Sequence, residues 1–172
     1  MQVHGTLVQV LGVGALIRGP SGIGKSEIAL ELVTRGHRLV ADDVVVLRRD
    51  SGGEVWGEAP ALIRHHLEIR GIGILDVRDL FGPGAVLDEA AIHLIFLLEH
   101  WQQRADYDRV GLERPVETLA GVELPCLVIP VRPSGSMATL LEVAVREHLR
   151  RPLRGSAAAR LDERLRQEAR RP

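Results

Sequence analysis

The sequence predicts an α/β domain, a mixed β-sheet with flanking helices arranged around a phosphate-binding loop. Three observations carry this reading. Gly19-Pro20-Ser21-Gly22-Ile23-Gly24-Lys25-Ser26 matches G-x-x-x-x-G-K-[ST] without a mismatch. A β-rich run, Ala15 to Arg18, leads into the loop, and a helical pattern leads out of it. Two apolar runs, Ala91 to Glu99 and Cys126 to Val131, have the length and composition of buried strands.

The elements follow in order. Leu7 to Leu11 and Ala15 to Arg18 read as short strands joined by a hairpin turn at Gly12-Val13-Gly14. Lys25 to Thr34 reads as a helix whose apolar face is Ile28, Ala29, Leu32 and Val33, closed by Arg35-Gly36. Arg38 to Ala41 and Val44 to Leu47 are β-rich runs on either side of Asp42-Asp43. Asp50 to Gly53 is a turn, with Val55 to Ala59 as the return strand. Leu67 to Val77 carries Gly71 and Gly73 among isoleucines, a loop between short strands. Phe81 to Gly84 is a turn. Met137 to Arg150 is helical, and one folded domain is expected over residues 1–150. Residues 151–172 hold seven Arg against three acids and predict either a surface helix over Ala157 to Arg170, with pairs such as Asp162 and Arg166, or a disordered tail.

Composition narrows the function. The chain has 172 residues, enough for one domain with a real core. Its formal net charge is -1 and aromatics are 3%, which argues against nucleic acid, an anionic membrane or a base-stacking platform as partner. The most apolar segment, Leu94 to Leu98, is five residues long, far short of a membrane span, and no signal peptide opens the chain. The lone Cys126 excludes an internal disulfide and fits a cytoplasmic location. The 22 basic residues resolve into 21 Arg and a single Lys, Lys25. In a chain that uses Arg almost everywhere, that position marks a need for a compact point charge.

The loop supplies the chemistry that such a charge serves. Its glycines let backbone N–H groups turn inward around phosphate oxygens, and the next helix adds its positive end. Lys25 reaches the β- and γ-phosphates, and the Ser26 hydroxyl ligates Mg²⁺. With no second lysine, an Asn-Lys-x-Asp guanine motif is impossible, which argues against an ordinary GTPase. Asp42 and Asp43 follow a β-run one helix later, where a strand returns to the phosphate site. Adjacent residues of an extended chain face opposite ways, so one of the two is expected to face the γ-phosphate. Glu68 fits either a Mg²⁺ ligand or an ion pair with Arg70. Arg109, in Asp106-Tyr107-Asp108-Arg109, fits either phosphoryl-charge stabilisation or pairing with the neighbouring acids.

Taken together, His4-Gly5, Gly19 to Ser26, His37-Arg38-Leu39-Val40-Ala41-Asp42-Asp43, Glu68-Ile69-Arg70-Gly71-Ile72-Gly73, Tyr107-Asp108-Arg109 and Val131-Arg132-Pro133 resemble the C-terminal catalytic domain of HPr kinase/phosphorylase, in its short form without the N-terminal domain. The likeness runs from about Val3 to about Arg150. It implies a P-loop kinase domain of the HPr kinase type, using ATP and Mg²⁺ to phosphorylate a serine of an HPr-like phosphocarrier of a phosphotransferase system. It also implies reversal by phosphorolysis, with inorganic phosphate as acceptor and pyrophosphate as product, in bifunctional members. By the same resemblance Lys25 and Ser26 hold phosphates and Mg²⁺, Glu68 is a second metal contact, and Asp43 is the base of the kinase step and the acid of its reverse. His4 and Arg109 assist, Leu67 to Asp76 matches the family's signature loop, and the assembly is a hexamer. The chain departs from the family at Ser134-Gly135-Ser136, which lacks the arginine usual after Pro133 in a segment tied to dephosphorylation. From the residues alone, a P-loop kinase for a small metabolite and a nucleotide-sensing regulatory module stay open as alternatives.

Overall fold

A computed structural model describes residues 1–102, 114–132 and 135–170. Its elements are β1 (Gln2–His4), β2 (Thr6–Val10), β3 (Val13–Arg18), α1 (Lys25–Thr34), β4 (Arg38–Ala41), β5 (Val44–Arg49), β6 (Val55–Glu58), β7 (His66–Ile69), β8 (Gly73–Asp76), α2 (Val77–Phe81), β9 (Glu89–His100), β10 (Val116–Leu119), β11 (Val122–Val131), α3 (Met137–Arg154) and α4 (Ala157–Ala169). Nine strands form a mixed sheet in the order β1-β5-β6-β9-β3-β2-β4, with β11 also on β9 and β10 on β11; β7 and β8 form a separate hairpin.

The long β9 is the spine. Its first residues run antiparallel to β6, its centre runs parallel to β3, and its end runs parallel to β11. A bulge lets one strand serve these partners: the register shifts where Gly14 pairs with Ile92 and Ala15 with Leu94. The Nδ1 of the extra residue, His93, accepts the Gly14 N–H at 3.1 Å, so the bulge leaves that donor satisfied. Only glycine fits here, because a Cβ at position 14 would lie 1.8 Å from the Ala91 carbonyl oxygen.

The bulge also sorts the core. Past it, Leu94, Phe96 and Leu98 face α1 and α3 together with Ala15 and Ile17, packing on Ile28, Leu32, Ala138, Leu141 and Val145. Ile95 and Leu16 face the opposite side, with Val40, Val45, Leu47 and Leu124. The sheet is therefore buried on both faces, as the apolar runs require.

The hairpin between β2 and β3 turns at Leu11-Gly12, at φ 52 and 82, one residue before the predicted Gly12-Val13-Gly14. Two positive φ values in a two-residue turn match the twist of the flanking strands. Helix α1 covers the predicted residues. Its C-terminal half is tied to α3 by Ser136, which caps α3 through the Thr139 N–H and donates to Glu31 at 2.6 Å. α2 stands where the sequence predicts no helix; it is too short for a periodic pattern, but Asp76 caps it by accepting from the Asp79 N–H. Helix α3 continues to Arg154, through Pro152, and α4 follows with its Asp162–Arg166 pair at 2.9 Å and every residue at least partly exposed.

Candidate active site

β3 lies inside the sheet and ends at Arg18, so the loop that follows springs from the centre of the domain. Gly19, Gly22 and Gly24 stand at φ 152, 79 and 101, conformations that L side chains rarely adopt. The loop then enters α1 directly, with Gly24 as N-cap and no side-chain hydrogen bond capping the helix end. The first-turn N–H groups and the helix dipole thus face the loop, the arrangement that binds anions at P-loops.

Lys25 is buried at 7% exposure, and its Nζ donates to the Gly19 and Pro20 carbonyls at 3.1 and 3.0 Å. Burial lowers its pKa from the usual lysine range, opposed by Asp42, Asp43 and Glu27. The ammonium therefore lies within the field of both aspartates of the pair.

Those two aspartates part company, as adjacent positions should. Asp42 is buried, and both of its oxygens are engaged: Oδ1 accepts from Thr6 Oγ1 at 2.6 Å and Oδ2 from Ser26 Oγ at 2.8 Å. Asp43 turns outward. Its φ is 65, and the Val44 N–H donates to the Asp42 carbonyl at 2.8 Å, so Asp43 is the centre of a γ-turn with positive φ, a strained conformation. Two contacts hold it. The Gly5 N–H donates to its carbonyl at 3.0 Å, and His4 Nδ1 lies 3.1 Å from its Oδ1. Because β1 pairs with β5, placing His4 opposite Val44, the chain's first strand delivers His4 to this turn.

The remaining predicted residues stand apart. Glu68 lies on β7 opposite Ile74, exposed, with no hydrogen bond or ion pair among the described residues. The ion pair with Arg70 that spacing allowed does not form. No group of three or more His, Cys, Asp or Glu able to hold a metal is present among the described residues. Arg109, with Asp106, Tyr107 and Asp108, lies outside the described residues, as does Ser134. The structure gives Asp42, one of the two candidate acids, a role that spacing did not assign, as the partner of Ser26. The signal was in the sequence, since a buried acid is needed to orient a P-loop serine and Asp42 closes an apolar strand, but spacing alone does not say which of two adjacent acids turns inward.

Among the described residues, no helix is long and apolar enough to cross a membrane. Residues 1–165 match the family model of the HPr serine kinase C-terminal domain. The chain is 50% identical over 163 residues to the HPr kinase/phosphorylase of Caldanaerobacter subterraneus subsp. tengcongensis, covering 95% of this chain and 53% of that protein. It is also 50% identical over 165 residues to that of Caldicellulosiruptor bescii, covering 96% of this chain and 53% of that protein. The chain thus spans about half the length of the curated relatives it matches. The solved structure of the Hpr(Ser) kinase/phosphatase from Coxiella burnetii superposes with a TM-score of 0.80 at 33% identity, over 86% of this chain and 90% of that one. Sheet, loop and sequence agree with these likenesses, and the chain belongs to the HPr serine kinase C-terminal domain family.

Proposed function

We propose that this chain is an ATP- and Mg²⁺-dependent protein-serine kinase whose acceptor is an HPr-like phosphocarrier protein. One observation supports it above the others: a solvent-facing carboxylate, Asp43, is held in a strained turn by His4 and Gly5, next to a buried lysine–aspartate pair on a phosphate-binding loop. An open carboxylate suits an acceptor carried by another protein; a small metabolite would call for an enclosed pocket around it.

The nucleotide phosphates would lie along residues 19–26 and draw Lys25 Nζ from the loop carbonyls. Ser26, fixed by its bond to Asp42, is an oxygen donor suited to a hard cation, and Glu68 would approach from β7. Mg²⁺ bound there supplies neutralisation of phosphate charge. Asp43 accepts the seryl proton while the serine oxygen bonds the γ-phosphorus and the bond to ADP breaks. His4 holds the Asp43 carboxylate, and Arg109 is assigned to the developing phosphoryl charge. A positioned base of this kind is worth about 10²–10⁴-fold. In the reverse direction inorganic phosphate attacks the phosphoserine and Asp43 returns the proton to the leaving oxygen. Assembly as a homo-oligomer, a hexamer by likeness to the family, and action in the cytoplasm complete the reading.

The test is phosphate transfer from Mg-ATP to a purified HPr-like protein, read by intact mass. The expected result is the added mass of one phosphate, abolished when the acceptor serine is replaced by alanine. Excess inorganic phosphate added to the product then reads phosphorolysis directly. Nucleotide binding without transfer to any phosphocarrier of the same cell would overturn the kinase reading in favour of a small-molecule kinase or a nucleotide sensor.

A further inference from the structure

Arg70 follows β7 directly, and β7 is anchored: Leu67 is buried in the core that includes Ile23 and Ile28, and Ile69 is buried beside it. The anchored strand lays the Arg70 guanidinium against the phosphate loop. A Cβ built at Gly22 would lie 3.3 Å from Arg70 Nη2 and 3.4 Å from Nη1. Both terminal nitrogens therefore approach the middle of the loop, and the absent side chain at position 22 is what gives them room. Among the described residues Arg70 has no hydrogen bond and no ion pair, and Glu68, two positions away, leaves it free. Lys25, the other cation of the loop, is engaged with two carbonyls.

A planar cation with uncommitted donors, beside backbone that cradles phosphates, is built to meet oxyanions. Its fork matches two phosphate oxygens at once, which an ammonium cannot do. Phosphoryl transfer spreads charge over the equatorial oxygens as the bond to the leaving group loosens, and an arginine supplied at that point contributes about 10³–10⁵-fold. We propose that Arg70, in addition to the role assigned to Arg109, supplies a guanidinium in cis to the phosphoryl group in transfer, contacting it across Gly22. The proposal rests on the kinase reading above and adds a residue role to it.

The experiment compares Arg70→Ala and Arg70→Lys with the unaltered chain, by calorimetric binding of Mg-ADP and of Mg-ADP with aluminium fluoride, a mimic of the phosphoryl group in transfer. Neither titration needs an acceptor protein. The expected result is Mg-ADP affinity within about threefold of the unaltered chain for both variants. Affinity for the fluoride complex falls at least about a hundredfold in Arg70→Ala and is only partly restored in Arg70→Lys. Because Arg70 is exposed and unbonded among the described residues, the thermal midpoint should not move. Equal losses for the two ligands would assign Arg70 to supporting the loop and overturn the proposal, as would fluoride-complex binding that survives in Arg70→Ala. If the unaltered chain transfers phosphate while Arg70→Ala binds and transfers like it, the proposal alone fails. If the unaltered chain binds neither ligand, the kinase reading fails with it.

Discussion

Lys25 and Asp42 are buried, whereas the side chains of His4 and Asp43, one residue along from Asp42, are 49% and 70% exposed. The buried pair belongs to the phosphate side, made from β3, the loop, α1 and the end of β4. Every polar atom named there has an internal partner, and the elements that carry it pack on the main core. The exposed pair lies on the side that the proposed reading gives to the acceptor. Here the backbone is held but the functional groups face solvent. The phosphate side meets the same small ligand in every turnover and gains from a prearranged, desolvated cradle. On the proposed reading, a macromolecular acceptor must be able to reach the other side. Lys25 and Asp42 are buried where, on that reading, they serve the phosphate loop, and Asp43 is exposed where it would meet the seryl hydroxyl.

The phosphate side can be broken through its support. Phe96 is fully buried on β9, under α1 and α3. Phe96→Ala is expected to cost about 3–5 kcal/mol in chemical denaturation, the largest stability loss among these variants, and to weaken nucleotide binding along with it. Asp42→Asn leaves Thr6 and Ser26 competing for an amide in place of a carboxylate. A loss of about 1–3 kcal/mol and weaker Mg-nucleotide binding are expected, read by denaturation and calorimetry. Ser136→Ala removes the α3 cap and the bond to Glu31 on α1, for about 1 kcal/mol in thermal unfolding.

The smallest effect is one of pH. Burial, then Arg114, holds His148 on α3 below the usual histidine range, and its Nδ1 lies 3.1 Å from Arg114 Nη1. The folded state disfavours protonation of this imidazole, while the unfolded chain takes up a proton near pH 6.5. Stability should therefore fall as pH drops below about 6.5, and His148→Gln should flatten that slope in midpoints measured across pH. Steepening on substitution would contradict it.

Local chemistry made the phosphate side legible from sequence. The loop motif, the apolar face of α1 and the Arg35-Gly36 stop are all contiguous, and the structure reproduces Lys25–Thr34 as the helix. Strand runs at Arg38–Ala41 and Val55–Glu58 were legible for the same reason. What spacing could not show depends on partners distant in sequence. The extra residue in β9 exists because Gly14 must approach Ala91, and α2 is held by its cap rather than by periodicity. The inward turn of Asp42 depends on Thr6, 36 residues away, and the outward turn of Asp43 on a positive φ that either of two adjacent aspartates could adopt. Family resemblance pointed to His4 and chose between the two readings that spacing left open for Glu68; only the first of these has a partner within the site among the described residues.

The most direct measurement is single-turnover phosphate transfer to the acceptor serine by Asp43→Asn, with nucleotide binding measured on the same sample. Asparagine tolerates positive φ, so the turn should survive the substitution. The account predicts Mg-ATP binding within about threefold of the unaltered chain and transfer slower by at least about a hundredfold. Transfer at an unchanged rate, or a loss of binding equal to the loss of transfer, would contradict the assignment of the exposed aspartate to the acceptor and the buried one to the phosphates.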